Sequence, residues 1–389
     1  MQSRIIVCGL LVMGTLLGIA GIDLVLPALP AMATWPDGGT AKAQLIIAAY
    51  IGGVSLGLLL FGWLGTMVER RLLLIGSIAA YMLLSLACTW TQNMDVLIAL
   101  RFAQGLIGCA PGVFAPGMIR RMFDEKGAIR AIGILGSIEA IGPGAAPLAG
   151  AALLAWGGWQ APFLASAALA LITAISLTLG RNLLPPGSAP RGMGSYRLLL
   201  TDPVFLRYGL TQALVLGGLL VFIFGAPVVI VNSLGGTLGD FILMQMVGVG
   251  LFMICANLSG LLCGRFGVER MISFGTGLAL LAALLLTAYA LAGGANPKIL
   301  ILALAPMNIG LGLRGPPGFM RAVAAGRGDD DRASALVILA ITLFAACTTA
   351  FLAPFLELGL PALALGALAC QVLACLLLVL LPRLPDPIQ

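Results

Sequence analysis

The sequence contains no histidine and very little charge. Only 9% of its 389 residues are Asp, Glu, Lys or Arg, whereas soluble domains carry roughly 25%. A chain this poor in charge cannot cover a surface that faces water, so most of its surroundings must be lipid. The absence of histidine excludes His-based metal sites and Ser-His-Asp catalysis. Any proton chemistry at neutral pH therefore depends on carboxylates, alone or beside arginine.

The cysteines form no CxxC pair, and we predict neither a disulfide framework nor a zinc site. All of them lie in apolar stretches and are interpreted as small packing residues: Cys8, Cys88, Cys109, Cys255, Cys263, Cys347, Cys370 and Cys375. The net charge of +6 does not indicate nucleic-acid binding, because the basic residues cluster in short segments between apolar runs. We expect no nucleic-acid partner and no cofactor.

Twelve apolar stretches are each long enough, at about 20 residues, to cross a bilayer. Their predicted bounds are 5–32, 43–64, 72–92, 96–118, 129–155, 161–180, 206–232, 240–264, 272–293, 299–320, 334–356 and 360–382. The first is too long for the apolar part of a signal peptide, and we predict an uncleaved helix. The sequence thus predicts an all-α membrane protein with a six-helix bundle over 1–180, a cytoplasmic linker over 181–205 and a second six-helix bundle over 206–389.

The basic residues predict the orientation. With the N-terminus in the cytoplasm, nearly all arginines lie in inner loops, and only Lys42 and Lys298 fall in outer ones. This is the bias of the positive-inside rule. Trp35, Trp90, Trp156 and Trp159 then lie at outer boundaries, as in an aromatic belt. We expect a multi-pass protein of the inner membrane with both termini in the cytoplasm.

A weak internal repeat supports two matched halves. The segment 62–71 after the second span resembles 260–270 after the eighth, since both are short basic turns that follow a helix end containing glycine. The fourth and tenth spans also correspond, with Gly105, Pro111 and Phe114 matching Gly310, Pro316 and Phe319. Two parallel six-helix repeats are typical of transporters that rock their halves around a central site.

Three motifs lie in order on the first, fourth and fifth spans. They begin at Asp23 (DLVLPALP), Arg101 (RFAQG) and Gly142 (GPGAAPLAG). Together they resemble those of the major facilitator superfamily, specifically its twelve-helix drug/proton antiporters of the bicyclomycin-resistance type. The resemblance implies a role in proton coupling for Arg101. The third motif departs from the family at Ala151, where a glycine is usual.

The loop after the second span departs further from the family pattern. Thr66 stands where the family has an aspartate that helps to latch the cytoplasmic side, although Arg70 and Arg71 are retained. Either Glu69 substitutes for that acid from a shifted position or the latch is weak.

Ionisable residues within spans indicate function by default, because burying a charge in a membrane is costly. At a rise of about 1.5 Å per residue, Asp23 and Arg101 reach similar heights in the outer part of the N-terminal half. We predict that they pair, directly or through water, and that Asp23 loads and releases a proton. The alternative is a static ion pair that orients the first and fourth helices.

Glu139 and Arg314 both come to roughly 10–15 Å from the cytoplasmic surface. We hypothesise that they pair to close an inner gate, with Glu139 also a candidate for proton coupling. Alternatively, Glu139 binds a cationic drug or a proton, Arg314 binds an anionic drug, or either residue snorkels or pairs within its own half. Gly142 and Pro143 should kink the fifth span and help to seal the interface, and Arg70 and Arg71 are further gating candidates.

The resembled fold assigns a further set of residues to an apolar substrate cavity, although each could equally be a packing residue. They are Tyr50, Gln104, Phe114, Gln212, Phe222, Gln245, Asn257, Asn308 and Arg314. Such a lining suits lipophilic compounds better than sugars. The run Asp329-Asp330-Asp331-Arg332 is interpreted as a solvated turn.

Proton-coupled efflux of drugs or other amphipathic molecules is the function that these features favour, by a protein that acts as a monomer in the lipid bilayer. One alternative is a dedicated exporter or importer of a metabolite such as a siderophore, peptide or amino-acid derivative. Another is a channel or scaffold. A membrane-embedded enzyme is disfavoured because no cluster of catalytic residues is present at an interface.

Overall fold

The computed structural model describes residues 2–185 and 195–385, and all regular structure within these ranges is helical. Long helices occupy the predicted spans. They are α1 Gln2–Asp23, α2 Thr40–Leu64, α3 Arg70–Trp90, α4 Met94–Gly108 continued by Ala110–Met122, α5 Glu125–Gly157, α6 Ala161–Leu179, α7 Pro203–Asn232, α8 Leu238–Phe266, α9 Val268–Leu291, α10 Pro297–Ala325, α11 Asp330–Leu352 and α12 Leu360–Leu380. Short helices lie at Leu26–Ala28, Leu29–Ala33, Gly158–Gln160, Tyr196–Thr201 and Ala353–Leu358.

The described residues contain 11 helical runs that are long and apolar enough to cross a membrane. One of them, Ala145–Leu179, contains the end of α5 and all of α6, which the turn Gly158–Gln160 separates. Counted separately, these two helices bring the number of spans to the predicted twelve. Large apolar side chains also face outward, and Trp156 and Val379 are 93% and 82% exposed. Soluble proteins rarely expose wide apolar surfaces, so the predicted membrane fold is confirmed.

The first span is not one continuous helix, in contrast to the prediction. Pro27 has no N–H, and its ring clashes with the carbonyl four residues earlier, which is that of Asp23. α1 therefore ends at Asp23, and the chain continues through the short helices Leu26–Ala28 and Leu29–Ala33. The same effect of Pro111 interrupts α4 at Cys109.

The chain forms two compact units that are not consecutive stretches of sequence. Unit 1 comprises Met1–Met122, Ile138–Met193 and Gly328–Ala335, and unit 2 comprises Phe123–Ser137, Gly194–Arg327 and Leu336–Gln389. The helices α5 and α11 each begin in one unit and continue in the other. The predicted division at a linker over 181–205 stays a prediction, and residues 186–194 of that linker lie outside the described residues.

The helix pairs within the two units repeat. In unit 1, α4 packs against α1, α2 and α3, while α6 packs against α1 and α3. In unit 2, α10 packs against α7, α8 and α9, while α12 packs against α7 and α9. Each pair in unit 1 thus has a counterpart six helices later, and this pattern supports the internal repeat that the sequence indicates.

Candidate functional site

Arg101 of α4 lies at the centre of a buried polar group in unit 1. Its fully buried guanidinium donates to Gln104 Oε1 at 2.5 Å and to the Gly21 carbonyl at 2.7 Å. Gln104 in turn donates to Ser85 Oγ of α3 at 2.7 Å. The guanidinium carbon lies 4.3 Å from the centroid of the Tyr50 ring, which is a cation–π contact. The Arg101 cluster consists of Arg101, Gln104, Ser85, Tyr50 and Tyr81.

The Arg101 cluster holds the C-terminal end of α1. The Tyr50 hydroxyl donates to the Gly18 carbonyl at 2.8 Å, and the Tyr81 hydroxyl donates to the Leu17 carbonyl at 3.3 Å. The close approach requires glycine at position 21, since a Cβ there would lie 2.5 Å from both tyrosine hydroxyls. The last turns of α1 are therefore attached by side-chain hydrogen bonds to α2, α3 and α4.

Asp23 is the last residue of α1 and is half-buried. The direct ion pair predicted between Asp23 and Arg101 is not formed, because the guanidinium binds Gln104 and the Gly21 carbonyl instead. That carbonyl is available because α1 ends here: the Val25 N–H bonds to the Ile22 carbonyl at 3.2 Å. Within the described part of the chain, Asp23 has no ion-pair partner. The roles of both residues in proton coupling stay predictions.

Glu139 of α5 is a second carboxylic acid within a membrane span of unit 1. It is partly buried, and its carboxyl group faces the hydroxyl of Thr15 in α1. α5 continues as a helix through Gly142 and Pro143. The Pro143 side chain itself lies outside what the structure describes, so the predicted sealing role of this pair stays a prediction.

Arg314 of α10 is fully buried in unit 2. It donates to the Thr211 carbonyl at 2.7 Å and to Thr211 Oγ1 at 3.2 Å, both in α7. The neighbouring Gln212 is also buried, and its Oε1 accepts no hydrogen bond from the described residues. The hypothetical pair with Glu139 would join residues assigned to different units, and it stays a prediction.

The run Asp329 to Arg332 is buried, so the interpretation as a solvated turn is wrong. Asp331 is fully buried and pairs with Arg70 of α3, with Nε and Oδ2 2.5 Å apart. Asp330 pairs with Arg120 of α4. The aspartate–arginine cluster consists of Thr66, Arg70, Arg120, Arg121, Asp329, Asp330, Asp331 and Arg332, all in unit 1.

Further contacts complete the aspartate–arginine cluster. Arg121 Nε lies 3.9 Å from Asp330 Oδ2. Arg332 pairs with Asp329 at 2.7 Å and donates to Thr66 Oγ1 at 3.2 Å. A charge run in a short loop is ordinarily solvated, but here arginines from the ends of α3 and α4 compensate the loss of water around the acids. These arginines lie far from the acidic run in sequence, so the residues around the run did not indicate that it would be buried. The sequence showed only that basic residues outnumber acidic ones in the inner loops.

A second acid lies beside the loop after α2. Glu69 lies 3.9 Å from Arg71 and is 44% exposed, and its substitution for the aspartate absent at Thr66 stays a prediction. The Asp331 carboxylate packs against Gly65, where an added Cβ would collide with it. An acid at the start of α11 thus occupies the neighbourhood of the loop after α2.

Arg71 has a separate role from Arg70. It donates to the Leu184 and Pro185 carbonyls and so holds the segment that follows α6.

In unit 2, Arg321 at the end of α10 pairs with Glu125 at the start of α5, 3.1 Å apart. The pairing of Arg120 with Asp330 and that of Arg321 with Glu125 are therefore counterparts within the repeat.

The predicted cavity residues fall into several environments. Tyr50 and Gln104 belong to the Arg101 cluster. Phe114 is fully buried and makes an edge contact with Phe61, while Phe222 lies in the apolar core of unit 2. The remaining amides are Gln245, which is half-buried, Asn257, which donates to Ser137 Oγ at 2.9 Å, and Asn308, which donates to the Leu304 carbonyl at 3.1 Å. The cavity role of this set stays a prediction.

Long apolar helices with arginines and carboxylates buried among them define the class of the protein, a multi-pass membrane protein. The chain belongs to the Major Facilitator Superfamily, because the sequence model of that family matches residues 11–345. This family consists of transporters and not of enzymes. The family resemblance is confirmed, whereas the bicyclomycin-resistance type within it stays a prediction.

Bacterial relatives match about two thirds of the chain and about two thirds of their own length. An uncharacterised MFS-type transporter, YdgK of Bacillus subtilis, is 30% identical over 68% of the chain and 67% of its own. A chloramphenicol resistance protein of Pseudomonas aeruginosa is 30% identical over 70% and 65%. The multidrug resistance protein MdtL of Salmonella heidelberg is 24% identical over 69% of each.

Solved structures share the fold at low sequence identity. The transporter FucP in its outward conformation superposes with a TM-score of 0.75 at 18% identity, covering 97% of the chain and 99% of FucP. The proton:xylose symporter XylE gives a TM-score of 0.74 at 13% identity, covering 96% and 95%. These likenesses establish the fold and do not bear on the substrate.

Proposed function

We propose that the protein is a proton-coupled exporter of drugs or other amphipathic small molecules that works by alternating access. The observation that carries the proposal is Asp23, an acid in a membrane span that has no ion-pair partner among the described residues and ends the helix that Arg101 holds. An acid that is not locked in an ion pair can exchange a proton when its surroundings change. The printed names of the chloramphenicol and multidrug resistance relatives support export.

In this proposal Asp23 binds a proton on the outer side and releases it on the inner side. The Arg101 cluster keeps the end of α1 attached to α2, α3 and α4 during the cycle. Glu139, beside Thr15 on the same helix α1, is the second proton-binding candidate. Pairing of Glu139 with Arg314 closes the inner side in one state of the cycle.

The remaining features of the proposal follow from sequence. The moving bodies are two six-helix bundles over 1–180 and 206–389, joined by the linker 181–205. The protein resides as a monomer in the inner membrane with both termini in the cytoplasm, as the distribution of arginines favours. The predicted cavity set, which includes Phe114 and Phe222 and has Arg314 as its one charged member, favours lipophilic substrates over sugars.

The test uses liposomes that contain the full chain and are loaded with chloramphenicol. An inwardly directed proton gradient should accelerate release of the drug, and a protonophore should remove the acceleration. Asp23→Asn should retain exchange without a gradient but lose the acceleration. Asp95→Asn is the matched control, because Asp95 is a largely exposed acid paired with Lys42. Acceleration that persists in Asp23→Asn would contradict the proposed proton carrier.

Uptake of a single metabolite is the second candidate, and the buried Arg314 favours it if the metabolite is an anion. The same liposomes distinguish the two. An importer would lose loaded drug no faster under the proton gradient, whereas a channel would show no dependence on the gradient in either direction.

A further inference from the structure

A cavity of about 610 Å³ lies at the end of unit 1 where α4 begins. Its lining is Trp35, Pro36, Asp37, Gln92, Asn93 and Trp159. We infer that this cavity is an outer binding site for a lipophilic organic cation, held by the two indole rings and the Asp37 carboxylate. The inference rests on the proposed export function, for which it names a class of substrate and a site on the exit side.

The two tryptophans of the cavity differ from those of the lipid-facing belt. Trp90 and Trp156 are 81% and 93% exposed on the helix surface. Trp35 and Trp159, in contrast, are half-buried and meet edge to face with ring centroids 4.7 Å apart. The aromatic-belt interpretation stays a prediction, and Trp35 and Trp159 together form an aromatic wall.

Turns on both sides fix this wall. The Trp35 N–H bonds to the Met32 carbonyl at 3.1 Å, so the ring follows directly on the short helix Leu29–Ala33. Trp159 lies in the turn between α5 and α6, where Gly158 adopts a φ of +68°. Its ring also packs against Phe163, with centroids 6.3 Å apart. The rings are thus held in place before a ligand arrives, which reduces the entropy lost on binding.

The charge of the cavity is negative. The other charged side chains near this end of unit 1, Lys42 and Asp95, pair with each other at 2.8 Å. Asp37 has no ion-pair partner in the described part of the chain, and its Oδ2 accepts the Met94 N–H at 2.7 Å. The second carboxylate oxygen is not engaged in that bond. Indole rings attract organic cations through their π-systems, and a neighbouring carboxylate adds electrostatic attraction for the same charge.

The size of the cavity agrees with this class of ligand. Sites for drug-sized molecules measure roughly 300–1,000 Å³. A lipophilic cation with aromatic or alkyl substituents would place these substituents against the indoles and its charge near Asp37. A neutral drug of similar size would gain the apolar contacts but not the electrostatic ones.

The experiment measures binding of tetraphenylphosphonium to the purified full chain by equilibrium dialysis, with neutral chloramphenicol as the comparison. Asp37→Asn removes the charge while its amide oxygen can still accept the Met94 N–H. We expect Asp37→Asn and Trp35→Ala each to weaken tetraphenylphosphonium binding by about tenfold. In Asp37→Asn, chloramphenicol binding should change by less than about twofold, because a neutral ligand has no charge to interact with the carboxylate.

Matched controls separate the site from general damage. Trp156→Ala removes an exposed tryptophan, and Asp95→Asn removes the neighbouring acid, so both should bind tetraphenylphosphonium like the parent. Trp35→Phe keeps an aromatic ring and should show an intermediate affinity, which supplies a second reading if Trp35→Ala fails to fold.

Equal tetraphenylphosphonium affinity in the parent and Asp37→Asn would overturn the inference, as would an equal loss for chloramphenicol. Liposome assays keep this result apart from the proposed function. Proton-driven chloramphenicol release with unaltered cation binding in the variants would reject the cation site and leave the exporter intact. Absence of proton-driven release with the expected binding pattern would reject the exporter and leave the site intact.

Discussion

At the scale of single residues, the notable feature is an arginine whose partners in the membrane are not acids. Arg101 donates to one amide oxygen and one backbone carbonyl and lies over the face of a tyrosine ring. The planar guanidinium serves these partners at once, because its donors point in fixed and divergent directions. Asp23 is consequently left without a fixed charge partner, and this is the condition that the proposed proton exchange needs.

Arg101→Lys tests the geometry of this residue rather than its charge. A lysine ammonium keeps the positive charge but cannot reach Gln104 and the Gly21 carbonyl together. We expect the free energy of unfolding to fall by about 2 kcal/mol and proton-driven transport to be lost. Thermal unfolding in detergent and the liposome assay provide the measurements. Arg270→Lys is the control, since it makes the same substitution at an exposed arginine outside the cluster; parent-like behaviour of Arg101→Lys would contradict the geometric role.

At the scale of elements, a proline and a distant helix start determine how the site is built. Pro27 ends α1 at Asp23 and so frees the Gly21 carbonyl for Arg101. The start of α11 supplies Asp330 and Asp331 to arginines of α3 and α4. Both effects arise where helices end, because the backbone and side chains there lack the partners that a continuing helix provides.

Pro27→Ala should restore the hydrogen bond that the proline removes and allow α1 to extend beyond Asp23. The Gly21 carbonyl would then bind the Val25 N–H, and Arg101 would lose an acceptor. We expect an expressed and folded protein whose proton-driven release falls by about tenfold, since a buried arginine left short of one bond costs on the order of 1–3 kcal/mol. Pro361→Ala, in the first turn of α12, where no backbone hydrogen bond within the helix is at stake, is a suitable control. Undiminished coupling would show that the break in α1 is not needed.

Asp331→Asn should be strongly destabilising, because Arg70 would remain buried without its counter-charge. We expect a loss of about 3–5 kcal/mol in the free energy of unfolding, followed by thermal denaturation in detergent. Adding Thr66→Asp, which restores the acid that the family has at this position, should recover part of that loss. Glu69→Gln should have little effect. Failure of Thr66→Asp to rescue Asp331→Asn would mean that the two acids are not interchangeable.

At the scale of the whole molecule, the repeat of helix pairs matches the repeat in sequence. The pairs of α4 and α6 in unit 1 recur as those of α10 and α12 in unit 2. An ion pair also recurs: Arg120 pairs with Asp330 in unit 1, and Arg321 pairs with Glu125 in unit 2. A duplicated six-helix plan explains both, since each half inherits the same packing surfaces.

Topology in the cell follows from the arginines. Reporter fusions after residues 183 and 385 should report the cytoplasm, and fusions after residues 93 and 293 should report the outer side. The physical reason is that arginine-rich loops are retained on the inner side during insertion. Termini found on opposite sides, or a cytoplasmic signal after residue 93, would refute the orientation and with it the assignment of the cation cavity to the exit side.

The sequence by itself determined that the chain is surrounded by lipid, how many spans it has and to which family it belongs. Low charge and runs of about 20 apolar residues leave a chain little choice but to cross a bilayer as helices. Each of the motifs that begin at Asp23, Arg101 and Gly142 is a continuous run of residues, so the family resemblance can be recognised from the sequence.

Only the tertiary structure decided which charged groups meet. Arg70 and Asp331 are 261 residues apart. The residues around a run of acids in a loop do not indicate which distant arginines will pair with it. Likewise, the similar predicted heights of Asp23 and Arg101 in the membrane did not indicate that Arg101 would donate to the Gly21 carbonyl instead of pairing with Asp23. Ion pairing depends on directions and distances of a few ångströms, which periodicity and spacing along the chain do not specify.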